Sequence, residues 1–502
     1  MTEHTHPASA PGDEGESVNL LLMALGPVLG LVLMVLLPDS LAFIGRAAAG
    51  CALWMAFWWM TEALPIPVTS LLPLVLFPLF GIGDIAQAAA PYANSVVFLV
   101  MGGVILGLAT ERSNLHRRVA LRTVQAVGTR PDQIVLGMMI ASAFISAWIS
   151  NTATAVIMVP IGVSILKLVR NIDPDAVDRN FAASVLLGIA YGVTIGSIAT
   201  LVGQPPTALM KAYLLEQDIY DMGFGEWMLV GVPFAVVMLV LTWVLLTKLV
   251  FRTRMRELPG GRDLIRTELA ALGPMTRPEA RVSLIFLAAI FFWVVVPVLA
   301  GFGPVAAAMP WLGGISDAQV AVAAAIACFL VPSGERTAAG RPRALLGWDS
   351  ARDVPWGLLL LFGGGLSLSA AFTATGLSQW IGSQVASVGD LPPVAVLMVA
   401  AVVGLGLTEL TSNTATAAAF FPIMGSVAVG VGIDPLVMTI VMTLAVCSAY
   451  MLPVATPSNA VAFGSGEVSI RQMVRAGVWL NLISLLVITA LLYTLIPALF
   501  AR

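Results

Sequence analysis

From Leu20 to Phe500 the chain is a series of apolar runs, at about 18–38, 41–61, 67–82, 94–111, 131–170, 181–222, 226–250, 282–301, 316–332, 355–375, 392–432, 434–470 and 473–500. Many are long enough to cross a bilayer's hydrocarbon core of about 30 Å. In that medium backbone polar groups must find partners inside the protein, which leaves helices as the structural unit for runs of this length. A composition of 59% hydrophobic and only 11% charged residues excludes a soluble multidomain enzyme. Cys51, Cys328 and Cys447 lie in apolar surroundings without CxxC spacing and read as small buried hydrophobes. The opening MTEHTHPASAPGDEGES has no basic n-region, so 1–17 reads as a disordered cytoplasmic tail rather than a cleaved signal. No nucleic-acid module is visible.

Three of the runs are too long for one helix. Those at 131–170 and 392–432 carry WISNTAT and ELTSNTAT at their centres, and each is either a pair of full spans or a hairpin returning to its own side. Those at 181–222 and 434–470 contain LVGQPPTAL and LPVATPSNAV, whose prolines remove backbone donors and predict helix breaks in mid-membrane.

Arginine and lysine placement orients the spans. Arg112, Arg117, Arg118, Arg122 and Arg130 precede the first SNTAT run and Lys167, Arg170 and Arg179 follow it, so both its ends face the cytoplasm. The loops at 376–391 and 429–435 lack basic residues, so both ends of the second face outside. The stretch 251–281, rich in arginine, becomes a cytoplasmic linker between a first half at 18–250 and a second at 282–502. Counting back predicts an all-α polytopic membrane protein of eleven transmembrane helices plus two re-entrant hairpins, inward at 131–170 and outward at 392–432. The N-terminus is then cytoplasmic and the C-terminus external.

The halves repeat. Asn151 and Asn413, Pro160 and Pro422, and Gly102 and Gly364 are each 262 residues apart, while Pro205 and Pro457 are 252 apart. Copies that open to opposite sides are inverted, the pattern of secondary transporters whose sites lie at the repeat interface and are built from broken helices. Small residues at such points also serve close packing, the reading given to the glycines from Gly102 to Gly107.

If a half-helix begins just after each SNT, two positive helix ends converge on one anion without a buried Lys or Arg. Asn151 and Asn413 add amide donors, and Thr152 and Thr414 add hydroxyls. Ser146 and Ser150, like Thr408 and Ser412, are spaced i, i+4 and are expected on one helix face leading into each tip. With the oxygens of Asn151 and Asn413 they form neutral cages suited to Na⁺ rather than a proton. Glu409 reads as a satisfied polar anchor near the outer interface in preference to a proton relay, since the matching position is Ala147. Glu62 carries the same two readings. His4, His6 and His116 support no catalytic arrangement.

With these motifs and the closing MLPVATPSNAVAFGSG at 451–466, the chain resembles the divalent anion/sodium symporters over about residues 20–500. That family includes di- and tricarboxylate and sulfate transporters. The resemblance implies a homodimer in the inner membrane, with a scaffold domain and a transport domain that moves as an elevator. It implies one Na⁺ site at Ser146, Ser150, Asn151 and the backbone near Thr200 to Gly203, and a second at Thr408, Ser412, Asn413 and the backbone near Ala455. Substrate carboxylates would meet Asn151, Thr152, Asn413, Thr414, Thr456 and Pro457. The family's breaks usually read TPPN, whereas this chain has QPPT at 204–207 and TPSN at 456–459. The functional expectation is Na⁺-coupled symport of a succinate-like C4-dicarboxylate by alternating access. Dicarboxylate exchange, sulfate transport and, from another class, an anion channel are the alternatives.

Overall fold

The computed structural model describes residues 19–128, 130–172, 179–252, 266–267, 269–336, 340–386 and 392–500. The expected tail at 1–17 and residues 253–265 of the expected linker lie outside them.

The first half contains α1 (Leu20–Leu36), α2 (Phe43–Thr61), α3 (Ile66–Thr69), α4 (Leu72–Phe80), α5 (Ile85–Ala89), α6 (Ser95–Arg112), α7 (Leu115–Val127), α8 (Pro131–Ser146), α9 (Asn151–Ile172), α10 (Arg179–Ser197), α11 (Pro205–Glu216) and α12 (Phe224–Val244). The second contains α13 (Arg277–Ile290), α14 (Val296–Ala300), α15 (Gly303–Ala308), α16 (Asp317–Leu330), α17 (Trp356–Ala374), α18 (Leu377–Ala386), α19 (Pro393–Thr408), α20 (Asn413–Val431), α21 (Pro435–Val446), α22 (Pro457–Gly464), α23 (Ile470–Tyr493) and α24 (Leu495–Phe500). Among the described residues, seven helical stretches are long and apolar enough to cross a membrane.

Two departures from the sequence reading concern fold class. The chain is helical but not all-α, because Pro332–Arg336 and Pro342–Ala344 pair as an antiparallel hairpin. The apolar run at 67–82 is not one helix either: α3 has 4 residues and α4 has 9, with Pro67, Pro73 and Pro78 depriving the run of backbone donors. The break is used for packing. Trp59 Nε1 donates to Ser70 Oγ at 3.1 Å, and a Cβ on Gly364 would come within 2.5 Å of Ser70 O.

Both long Pro-containing runs break as expected, α10 from α11 over 198–204 and α21 from α22 over 447–456. The runs carrying SNTAT each resolve into two helices joined by four residues. At about 1.5 Å per residue, the 16 residues of α8 and of α19 reach only about 24 Å, short of a full crossing.

Close packing explains the paired glycines. A Cβ on Gly102 would lie 2.5 Å from the Ala321 backbone, and one on Gly196 would lie 2.2 Å from that of Ala143. Helices approach at such points because no hydrophobic drive between helices exists in lipid and contact itself must hold them. Cys51, Cys328 and Cys447 are buried free thiols, as read from the sequence.

Candidate functional site

Each SNT begins a helix, though not where the spacing predicts. The helices start at Asn151 and Asn413, inside the motif rather than after it, and the serine is the cap. Ala153 N donates to Ser150 Oγ at 3.2 Å and Ala415 N to Ser412 Oγ at 3.5 Å. A serine at this position satisfies one of the orphan donors of the first turn and leaves the others for a ligand. Since α8 ends at Ser146 and α19 at Thr408, the i, i+4 pairs do not share a helix face as expected. Each instead spans the tip, one member at its entry and the other at its exit.

The tips are closed by equivalent contacts. Ser146 Oγ lies 2.7 Å from Asn151 Oδ1, and Thr408 Oγ1 lies 2.5 Å from Asn413 Oδ1. Thr408 Oγ1 is also 2.8 Å from Val446 O, at the end of α21. One hydroxyl proton cannot serve both oxygens at full strength, so the cluster is rich in lone pairs. In the first half the link runs the other way: Thr200, in the α10–α11 break, donates to Ala147 O at the tip. Each tip is thus joined to its neighbouring break by a threonine hydroxyl. Ser146, Thr200 and Thr408 are fully or almost fully buried.

The breaks share a second device. Asn459 Nδ2 donates to Leu452 O at 3.0 Å, and Thr207 Oγ1 lies 3.2 Å from Thr200 O and 2.6 Å from Gln204 O. Leu452 and Thr200 are 252 residues apart, as are Asn459 and Thr207. The third residue of each half-helix therefore braces a residue seven positions back, inside its own break. Thr207 does not line the cavity, so this departure from TPPN conserves a brace rather than changing a binding wall.

Tips and breaks meet at a cavity of about 860 Å³. Its wall takes Ser150, Asn151 and Thr152 from one tip and Ser412, Asn413 and Thr414 from the other. Gly203, Ala455, Thr456 and Pro457 come from the breaks, whereas Ser146, Thr200 and Thr408 stand behind the wall. All the expected substrate and cation residues are brought together in two layers. Glu62, Glu111 and Asp353 lie along the same wall, toward the end where Arg112 pairs with Asp349 and Asp353.

Several residues of this region were given no role by the motifs. Gln204 lines the cavity, is 3% exposed, and its Nε2 has no hydrogen-bond partner among the described residues. Ser458 Oγ, 3.0 Å from both Thr194 Oγ1 and Thr456 Oγ1, joins them in a buried hydroxyl chain. The expectation of no buried basic residue is corrected: Lys211 on α11 and Arg118 on α7 are both buried. Lys211 pairs with Asp317 and Arg118 with Glu279, and neither cation lines the cavity. Asp317 and Glu279 lie far away in sequence, which is why the runs alone did not reveal these pairs; Lys211 also lies 3.7 Å from the exposed Asp221. Glu409 resolves as an anchor. Its carboxyl accepts from Tyr450 N at 2.8 Å, Met451 N at 3.0 Å, Leu452 N at 3.3 Å and Asn481 Nδ2 at 2.8 Å.

Helices interrupted inside a bundle, with their ends facing one another across a single cavity, define a multi-pass membrane transporter of the broken-helix kind. Residues 17–500 match the family described as the sodium:sulfate symporter transmembrane region, and the chain belongs to that family. It is 38% identical over 489 residues to the sodium-dependent dicarboxylate transporter SdcS of Staphylococcus saprophyticus, covering 96% of this chain and 92% of that protein. SdcS of Staphylococcus aureus is 38% identical over 492 residues, covering 97% and 92% respectively. These relatives are transporters, and this chain is a transporter rather than an enzyme. In fold it resembles the Alcanivorax borkumensis YdaH transporter, with a TM-score of 0.54 at 14% identity over 94% of this chain and 95% of that one. Neisseria gonorrhoeae MtrF gives 0.55 at 13% identity over 84% and 83%.

Proposed function

We propose that the chain is a Na⁺-coupled symporter of a C4-dicarboxylate such as succinate, working by alternating access. The observation that carries this reading is the matched pair of tips, Ser146 with Asn151 and Thr408 with Asn413, each an oxygen cluster behind a helix N-terminus at one cavity. A dianion sits between two such ends, its carboxylates on Asn151, Thr152, Asn413, Thr414, Thr456 and Pro457. One Na⁺ takes oxygens from Ser146, Ser150, Asn151 and the backbone of Thr200 to Gly203. The other takes them from Thr408, Ser412, Asn413 and the backbone at Ala455. The cations lower the cost of bringing a doubly charged anion out of water, which couples the two solutes. The names of the 38% identical relatives support sodium as the coupling ion and a dicarboxylate as the cargo.

In this reading α8–α9 and α19–α20 are the inward and outward hairpins, and the protein lies in the inner membrane with its N-terminus cytoplasmic and its C-terminus outside. Because the cavity runs toward the arginine-bearing end, the conformation is inward-open. A homodimer gives each copy a fixed scaffold against which its transport domain rides as an elevator. Uptake of succinate into proteoliposomes with and without a Na⁺ gradient tests the reading. Uptake that ignores Na⁺ but needs internal dicarboxylate replaces symport with exchange, and sulfate that outcompetes succinate changes the cargo.

A further inference from the structure

We infer that Gln204 is a specificity-determining residue of this site, whose side-chain amide donates to one carboxylate of the transported dianion and so sets the length of substrate accepted. The inference rests on the dicarboxylate reading above and adds to it a residue which that reading does not use.

The two breaks place Gln204 and Thr456 at the same point, the cap of a half-helix that opens with proline. Thr456 is occupied: its hydroxyl accepts from Asn459 N at 3.2 Å and lies 3.0 Å from Ser458 Oγ. Gln204 makes no side-chain cap bond at all. Its carbonyl is held by Thr207 Oγ1 at 2.6 Å, which fixes the backbone on which the side chain is mounted. Thus the brace is retained while the side chain is released from it.

A buried amide donor without an acceptor is costly, and such groups in native proteins call for a ligand or an ordered partner. Among the described residues none accepts from Gln204 Nε2. The residue forms part of the cavity wall between the two tips although Nε2 itself is shut off from the cavity, and a half-turn about the soft terminal torsion, which exchanges the two ends of the amide, presents the donor to a bound anion. The acceptor that suits this position is an anionic oxygen. It lies beside the N-terminus of α11, a helix of 12 residues whose positive end favours a carboxylate. Prolines at 205 and 206 supply no backbone N–H there, so the side-chain amide takes the place of those donors. Glutamine is also longer than the threonine at the matching point, so on this side the carboxylate is held by the end of a side chain rather than at the cap itself, and the position of that amide sets the length of dianion accepted.

The test uses full-length protein in proteoliposomes with Gln204→Met, nearly the same shape without the amide, and Gln204→Asn, the amide withdrawn by one methylene. Q204M is expected to raise the KM for succinate about 10- to 100-fold, the loss of a hydrogen bond to a charged group. Thermal stabilisation of the purified protein by Na⁺ alone is expected to be unchanged. Q204N is expected to move the succinate-to-glutarate preference about tenfold toward glutarate. A succinate KM in Q204M within about twofold of wild type, an unchanged ratio in Q204N, or loss of the stabilisation by Na⁺ alone overturns the inference. Failure of the wild-type protein itself to take up succinate on a Na⁺ gradient defeats the symporter reading instead, so the two failures are told apart.

Discussion

Thr408 Oγ1 lies 2.5 Å from Asn413 Oδ1, and 262 residues earlier Ser146 Oγ lies 2.7 Å from Asn151 Oδ1. In both cases the hydroxyl ends one helix and the amide begins the next, so the contact closes a tip. The asparagine oxygen is thereby turned toward the hydroxyl. In the proposed symport one side chain then offers its oxygen to the cation and its amide nitrogen to the anion.

It follows that the asparagines and the hydroxyls fail differently. Asn151→Ala and Asn413→Ala are expected to abolish Na⁺-driven uptake while the protein remains folded, as judged by gel filtration and thermal melting. Ser146→Ala and Thr408→Ala remove one oxygen behind the wall and are expected mainly to raise the Na⁺ concentration needed for half-maximal uptake. Effects on succinate affinity alone, at saturating Na⁺, would remove these hydroxyls from the cation sites.

Glu409 holds three successive backbone N–H groups of the α21–α22 break and the Asn481 amide of α23. Removing the acceptor strands buried donors, so Glu409→Ala is expected to lower stability by about 3 kcal/mol or more. Glu409→Gln, which replaces one acceptor with a donor facing other donors, also destabilises. If Glu409 were a proton relay, the variants that remain folded would show an altered pH profile of uptake; the anchor role leaves that profile unchanged.

The repeat was legible because spacing survives in sequence: the offset that pairs the asparagines also pairs Ser146 with Thr408. The helix breaks were legible because proline acts locally, on its own N–H and ring. What escaped was tertiary. Ser150 and Ser412 looked like helix-face residues until the helices were seen to end four residues earlier. Lys211 disappears into an apolar run, and its buried partner, Asp317, is 106 residues away. The amphipathic α7 fell between apolar runs, and its Arg118 finds Glu279 161 residues on.

Thr207 offers its hydroxyl to the carbonyls of Thr200, Leu201 and Gln204. Thr207→Val leaves those buried oxygens without it and is expected to cost about 1–2 kcal/mol and to impair uptake. Thr207→Asn places in the first break the residue that braces the second, as Asn459 does to Leu452. It is expected to keep most of the stability and transport. If Val and Asn behave alike in thermal melts and uptake, the brace contributes nothing.

Lys211 is buried against Asp317, which also accepts from Phe224 N at 3.0 Å. Lys211→Met leaves a largely buried carboxylate without its cation and is expected to destabilise by about 3–5 kcal/mol. Adding Asp317→Asn removes the charge while keeping an oxygen for Phe224 N, so the double variant should regain much of the loss. Strict additivity of the two substitutions in denaturation would show that the pair is not coupled.

Arg170, at the end of α9, holds both carboxylate oxygens of Glu467 at 2.6 Å. These bonds hold the Glu467 carboxyl below its ordinary value. A carboxyl whose pKa is depressed by folding adds stability that is fully present above its unfolded value of about 4.3 and is lost as pH falls through the lower folded value. Arg170 remains partly solvated, which limits the contribution to about 1 kcal/mol. The melting temperature of the wild type should therefore exceed that of Glu467→Gln by a constant margin from about pH 8 down to about pH 5, and the margin should narrow at lower pH. Arg170→Gln should show the same pattern. A margin that instead grows on acidification would mean that the pair does not stabilise the junction between α9 and the segment after α22.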